Sequence, residues 1–312
     1  MRLRIVFFGS GAFAIPPFEA LLDAGHAVAA LVTQPDREKG RGREVAPPPL
    51  KPVATARGVP ILQPRRIKEP AAQEAVRAFA PELIVVVAYG QILPLGVLDM
   101  APLGAVNVHA SLLPRYRGAA PIQWALAKGE TETGVTTMLL DEGLDTGPIL
   151  LQRSTPVGAE EIASELEPRL ACLGAELLLE TVARLSDGTL RPTPQDPASA
   201  TLAPILRKED GRIDWDEPAE ALAHRVRGLN PWPGTVTRWQ GAALKVLRAR
   251  TADPAPGSAP GTVVGVDRDG VRVCCGSGTV LRLLEVQPES RKPMSARDWA
   301  MGARLVAGTR LG

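Results

Sequence analysis

Along the first half of the chain, short apolar runs alternate with stretches of helical spacing. Arg4–Phe8, Ala27–Thr33, Leu83–Ala88 and Ala105–Val108 read as strands, and the third of them, LIVVVA, is apolar on both faces. Pro16–Ala24, Ala71–Ala80 and Pro121–Ala127 carry apolar side chains at helical spacing. In the first of these, proline falls in the opening turn, where its missing N–H costs nothing. Strands buried on both faces and separated by helices predict a parallel sheet with covered sides. Ligands of such sheets sit beyond the carboxyl ends of the strands, where connections change direction. Ala88–Leu93 and the residues following Val108 therefore lie on the expected functional edge.

Val135–Leu140 and Ile149–Gln152 read as strands flanking a glycine-containing loop, Asp141–Gly147, and Glu161–Arg184 reads as a helix. Residues 186–204, SDGTLRPTPQDPASATLAP, are rich in Pro, Ser, Thr and Asp and read as an ordered linker or boundary. Beyond Ile205 the texture changes. A short helix at Pro218–Arg227 precedes short strands near Thr235–Trp239, Leu244–Arg250, Gly261–Val266, Val271–Cys275 and Thr279–Glu285. Their spacing, punctuated by Gly, Pro and Asp, predicts a small antiparallel barrel. A chain of 312 residues accommodates two domains, here expected at 1–204 and 205–312.

Composition adds limits. With 45% apolar and 22% charged residues, the chain has enough material for a sizeable core. A net charge of +2 demands no polyanion, but the distribution is uneven. Residues 1–200 hold 19 Lys and Arg against 22 Asp and Glu, and residues 201–312 hold 17 against 12, so a polyanionic partner would meet the C-terminal part. Cys172, Cys274 and Cys275 form no C-x-x-C pair and have no histidine spaced to complete a zinc site, so neither disulfide nor metal is expected. The apolar run after Met1 is too short for a signal peptide, and no stretch approaches the ~20 apolar residues that span a bilayer. A cytoplasmic, soluble protein is the expectation.

Four segments carry candidate chemistry. Gly9-Ser10-Gly11-Ala12-Phe13-Ala14 fits G-x-G-x-x-A after the first strand, the pattern of a dinucleotide-binding turn. The acidic ribose ligand that should follow is unclear, since Asp36 lies beyond Pro35 in a basic loop. A tight turn, meeting at most a substrate phosphate, fits better. Asn107 and His109 are two apart at the end of a strand, so their side chains project to one side. An amide donor beside an imidazole suits an oxyanion formed by attack on a carbonyl; a turn-forming Asn and a structural His are the bland alternative. Asp145, in the loop 141–147, is able either to orient His109 or to make an Asx turn. Finally, Thr33–Pro49 reads as a long loop without regular structure, carrying Arg37, Lys39, Arg41 and Arg43 among glycines and prolines. Those cations suit phosphate contacts or an ordinary solvated face.

TQPDR with GRG, VVVAYGQILP, NVHASLLPRYRGAAPIQWA, DEGLDTGPIL and LNPWP, in this order, resemble the 10-formyltetrahydrofolate-dependent formyltransferases over nearly the whole chain. The basic loop and the LNPWP segment resemble the branch that acts on initiator methionyl-tRNA. The resemblance implies a Rossmann-like α/β formyltransferase domain followed by an OB-like β-barrel that grips tRNA. It implies catalytic positions for Asn107, His109 and Asp145. It also implies folate contacts from Ser111, Leu112, Leu113 and Pro114, with Ala88, Tyr89, Gly90, Leu93, Asp141 and Gly143 forming walls for the pterin. Arg37, Lys39, Arg41 and Arg43 fall where the family meets the tRNA acceptor end. The implied co-substrate is 10-formyltetrahydrofolate, with no metal; a monomer is the expectation for the chain.

The chemistry so implied is attack of the amino acid's α-amino group on the formyl carbon, with Asn107 and His109 stabilising the oxyanion. Formylation of an amino sugar or a nucleotide amine, a nicotinamide-dependent oxidoreductase built on Gly9–Ala14, and a tRNA-binding protein without turnover stay open as alternatives.

Overall fold

The computed structural model describes residues 2–39, 44–255 and 257–312. Contacts gather the chain into two compact units, one of residues 1–118, 133–155 and 167–202, the other of 119–132, 156–166 and 203–312. The second unit thus takes two short segments from the stretch before the boundary read at 204.

The first unit is built on a seven-stranded sheet in the order β5-β2-β1-β6-β7-β8-β9. Here β1 is Arg4–Gly9, β2 Ala27–Val32, β5 Ile61–Leu62, β6 Leu83–Val87, β7 Ala105–His109, β8 Glu132–Leu139 and β9 Ile149–Pro156. From β5 to β7 every pairing is parallel. Every residue of β6 is buried, as its unbroken apolar run requires. Phe7, Phe8, Leu31 and Ile84 have no exposed surface, and burying each such side chain stabilises the fold by ~1.5–3 kcal/mol. Between the strands run α1 (Ile15–Asp23), α2 (Leu50–Ala56), α3 (Pro70–Arg77) and the one-turn α4 (Leu95–Leu98). The helix α6 (Ala163–Ser186) approaches the sheet at Gly174, where a Cβ would come 3.0 Å from Val108.

Two features depart from the sequence reading. β8 runs antiparallel to β7, with Val106 opposite Leu139 and His109 opposite Thr136. An apolar run reports burial and not direction, so sequence pattern could not distinguish this. The second departure is in Thr33–Pro49, read as lacking regular structure. It contains a two-stranded ladder, β3 (Arg37–Lys39) against β4 (Glu44–Ala46), with Arg37 opposite Ala46 and Lys39 opposite Glu44. Three-residue strands of mixed charge show no alternation to detect, yet their backbone hydrogen bonds form all the same.

The second unit has an antiparallel sheet in the order β10-β11-β14-β13-β12, with β15 on β14. Its strands are β10 (Thr235–Trp239), β11 (Ala242–Ala252), β12 (Val263–Asp267), β13 (Gly270–Cys274), β14 (Val280–Pro288) and β15 (Met294–Ser295). Val246, Val263, Val271, Val273, Leu281 and Leu283 form its core with Trp215 and Trp299. Helix α5 (Pro121–Ala127) belongs here because it packs against α7 (Ala219–Leu229). The crossing is close: a Cβ on Gly228 would lie 2.5 Å from the Gln123 carbonyl oxygen. The remaining helix is α8 (Ala296–Gly302). Among the described residues, no helix is long and apolar enough to cross a membrane, and no cluster of His, Cys, Asp or Glu suits a metal ion.

Candidate active site

Asn107 and His109 are the third and fifth residues of β7, so the alternation of the strand sends both side chains to one face. The loop 141–147 begins where β8 ends, beside the start of β7. It turns back along that strand, and Asp145 arrives opposite both side chains. Asn107 Nδ2 lies 3.5 Å from Asp145 Oδ1, and His109 Nδ1 lies 3.6 Å from Asp145 Oδ2. The firm bond to the carboxylate comes from elsewhere: the Gly118 N–H donates to Oδ2 at 2.8 Å. His109 is 6% exposed, and its Nε2 is 2.9 Å from the Tyr116 carbonyl. A carbonyl only accepts, so Nε2 carries a proton and Nδ1 is the nitrogen turned toward Asp145.

The trio is therefore assembled but not closed. A proper hydrogen bond from nitrogen to oxygen spans ~2.7–3.2 Å, so Asn107 and His109 both face the carboxylate at longer range. An amide donor, an imidazole and a carboxylate around one point are the parts needed to hold a developing oxyanion and to move a proton.

Ser111–Pro114 follows β7 and is pinned by β8. The Thr136 hydroxyl donates to Ser111 O at 2.6 Å and accepts from Leu113 N at 3.1 Å and from Gln152 Nε2 at 3.0 Å. That uses its full capacity of one donor and two lone pairs. Gln152 Nε2 also donates to Leu113 O at 2.8 Å, and the Leu113–Pro114 bond is cis. Ser111 and Leu113 are buried, while Leu112 and Pro114 are half-buried.

At the end of β6 the chain turns through Ala88 and Gly90, both left-handed, with φ of +48° and +85°. Tyr89 between them points inward, its ring edge-on to Phe8 at 5.2 Å. Burial pushes its phenol up to about 12, so it stays neutral. Leu93 sits in the same apolar cluster, so Tyr89 and Leu93 face the core while Ile92 is 70% exposed. Ser10, from the glycine motif, accepts from Gln34 N at 3.0 Å and donates to Tyr89 O at 3.3 Å. It ties the ends of β1, β2 and β6 together. Asp141 forms an Asx turn, accepting from Gly143 N at 3.0 Å and from Thr146 Oγ1 at 2.7 Å.

Arg37 is exposed, and its guanidinium donates to Gln34 Oε1 at 3.0 Å. Lys39 closes β3, whereas Arg41 and Arg43 lie outside the described residues. Nearby, the hydrogen bonds from Lys51 and Gln63 hold the Asp36 carboxyl below its ordinary range. Gly118, Thr136 and Gln152 were not singled out from sequence. Of these only Thr136 left a trace, as a polar residue inside an apolar strand. A separate cavity of about 370 Å³ lies in the second unit, lined by Trp124, Lys128, Glu217, His224 and Arg225 among others, and includes none of the trio.

Comparison with known proteins gives consistent results. Residues 3–182 match the family described as formyl transferase, and residues 205–304 match the formyl transferase C-terminal domain. The chain is 52% identical over 310 residues to a methionyl-tRNA formyltransferase of Solibacter usitatus, covering 99% of each chain. The fold is similar to that of an N-formyltransferase from Helicobacter canadensis solved with folinic acid and dTDP-3-aminofucose. That match has a TM-score of 0.67 and 16% identity, covering 92% of this chain and 99% of that one. It is also similar to Aquifex aeolicus HypX in complex with tetrahydrofolic acid, with a TM-score of 0.63 and 19% identity. That match covers 96% of this chain but about half, 47%, of HypX.

Proposed function

The chain belongs to the methionyl-tRNA formyltransferase family, and from that premise we propose that it transfers the formyl group of 10-formyltetrahydrofolate to the α-amino group of initiator methionyl-tRNA. We propose further that it acts in the cytoplasm, as a monomer, before translation begins. The observation that carries the catalytic reading is the convergence of Asn107 Nδ2 and His109 Nδ1 on Asp145 at 3.5 and 3.6 Å, with neither bond closed.

Folate supplies an activated formyl carbon when bound. The residues present fit such a ligand: the left-handed turn at Ala88–Gly90, the pinned backbone of Ser111–Pro114, and exposed apolar side chains at Ile92 and Leu144. The side chains of Tyr89, Leu93 and Leu113 are buried, so these residues would serve chiefly through their backbone.

An α-amino group has an unperturbed pKa of about 7.7–8.0. A useful fraction is therefore neutral near pH 7, and the attacking amine needs no strong base. The Asn107 amide donates to the formyl oxygen as negative charge develops there. His109 keeps Nε2–H on the Tyr116 carbonyl, which leaves Nδ1 as its working nitrogen. Asp145, braced by the Gly118 N–H, accepts the proton that the amine sheds and relays it to His109 Nδ1, which delivers it to the folate nitrogen as the bond from that nitrogen to the formyl carbon breaks. The α-amino group thereby becomes an amide nitrogen, and the folate nitrogen leaves protonated.

For the tRNA, we propose that Arg37, Lys39, Arg41 and Arg43 meet the acceptor end through phosphate contacts, and that the second unit adds its positive balance. Of these, Arg37 lies on β3 with its side chain exposed. Incubation with 10-formyltetrahydrofolate and charged initiator tRNA should yield formylmethionine on the tRNA. A nicotinamide-dependent oxidation, or tRNA binding with no formyl product, would overturn the reading.

A further inference from the structure

We propose that Gln195, locked in place by Arg117, sets the position of Asp145 and thereby the turnover rate, without touching either substrate. The proposal rests on the formyl-transfer function given above.

The Gln195 side chain makes every hydrogen bond open to an amide. Its Nε2 donates to the backbone carbonyls of Asp145 at 2.8 Å and Gly147 at 2.7 Å. Its Oε1 accepts from Arg117 Nε at 3.0 Å and Nη2 at 2.7 Å. Two donors and two lone pairs are all used, which fixes both the orientation and the identity of the side chain. A carboxylate of the same shape would face two carbonyl oxygens with no proton to offer.

Asp145 needs this support. Its φ is +53°, a left-handed conformation that is uncommon outside glycine. Such a conformation persists where surrounding bonds over-determine it. The Asx turn at Asp141 shapes the first half of the loop, and Gln195 grips the second half on either side of Thr146. Arg117 immediately precedes Gly118, whose N–H donates to the Asp145 carboxylate at 2.8 Å. One short segment therefore fixes the carboxylate directly through Gly118 and its backbone indirectly through Arg117 and Gln195. Asp145 approaches Asn107 and His109 at distances just beyond hydrogen bonding, so a small displacement of the loop would alter how charge is held in the reaction. A misplacement of ~1 Å can cost ~100-fold in rate.

The test uses the full-length chain. Values of kcat and of KM for both substrates, with thermal melts, are measured for Gln195→Ala, Gln195→Glu and Arg117→Met, each in wild-type and Asp145→Ala backgrounds. In the wild-type background Gln195→Ala and Gln195→Glu should lower kcat ~10- to 100-fold, leaving the tRNA KM within about twofold. Arg117→Met leaves both Gln195 donors in place and should cost less. In the Asp145→Ala background the same substitutions should cost under ~2-fold, because there is no carboxylate to position; this is the coupling a double-mutant cycle reads. If Gln195→Ala does not fold, Arg117→Met carries the same comparison. Equal losses in both backgrounds would make the pair a general brace and overturn the proposal, as would an unchanged kcat in every variant of a formylating enzyme. A wild-type chain that forms no formylmethionine would instead count against the function itself.

Discussion

His109 Nδ1 stands 3.6 Å from Asp145 Oδ2, within ion-pair reach but beyond hydrogen-bond distance. The carboxylate does not depend on the imidazole for its position, since the Gly118 N–H holds the same oxygen at 2.8 Å. The imidazole in turn is anchored through Nε2 to Tyr116 O at 2.9 Å. Each partner is thus held by the backbone, and a reacting amine and formyl oxygen would be received beside the pair, where Asn107 Nδ2 also points.

If that arrangement does the chemistry, Asn107→Ala, His109→Ala and Asp145→Ala should each lower kcat by at least ~10² with tRNA affinity nearly intact. Steady-state kinetics beside tRNA titrations make the comparison. Near-normal turnover in any two of the three variants would remove the trio from the mechanism.

The Ser111–Pro114 backbone offers a separate test through Thr136. Replacing it with valine deletes the acceptor of the buried Leu113 N–H and the partner of Ser111 O. An unsatisfied buried polar group costs ~1–3 kcal/mol, so Thr136→Val should lower the melting temperature. It should also raise the folate KM several-fold more than the tRNA KM. A parallel rise in both constants would mean that the segment only stabilises the fold.

Much of this organisation was legible in the sequence, and the limits have physical causes. The buried strands announced themselves as apolar runs such as LIVVVA, and Asn107 with His109 was readable because a two-residue spacing on a strand is a local matter. The direction of β8 was not readable, since burial is blind to direction. Nor were Gly118 and Gln195, which meet Asp145 across sequence separations of 27 and 50 residues. Gly118 acts through a backbone N–H that every residue but proline possesses, and Gln195 sits in a polar stretch whose composition says only "linker". Tyr89 and Leu93 of the expected folate walls followed from the resemblance, but their burial appears only once the core is assembled.

The close crossing of α5 and α7 gives a prediction about stability. Gly228→Ala would set a methyl group 2.7 Å from Ala127 N and 2.9 Å from Ala127 Cβ. Overpacking of this kind costs ~1–3 kcal/mol, more than alanine's better helix propensity of about 1 kcal/mol returns. Thermal or denaturant unfolding should show a net loss; a gain would mean that the two helices separate easily.

If the proposed function holds, the basic residues between 37 and 43 meet the nucleic acid. Arg41→Ala should slow formylation of charged tRNA severely, whereas Glu38→Gln should not. Neutralising Arg37, Lys39, Arg41 and Arg43 together should flatten the dependence of tRNA affinity on salt, because fewer counterions are released on binding. An unchanged salt slope with unchanged kinetics would reduce these cations to a solvated surface.

The most direct measurement compares acceptors. Using 10-formyltetrahydrofolate labelled in its formyl group, kcat/KM is determined for charged initiator tRNA, for a nucleotide-linked amino sugar and for a small nucleotide amine. Label should pass to the tRNA-bound methionine with a kcat/KM higher by at least ~10³, since both the basic residues between 37 and 43 and the second unit would spend their contacts on the tRNA. Equal or faster transfer to either small amine would contradict it.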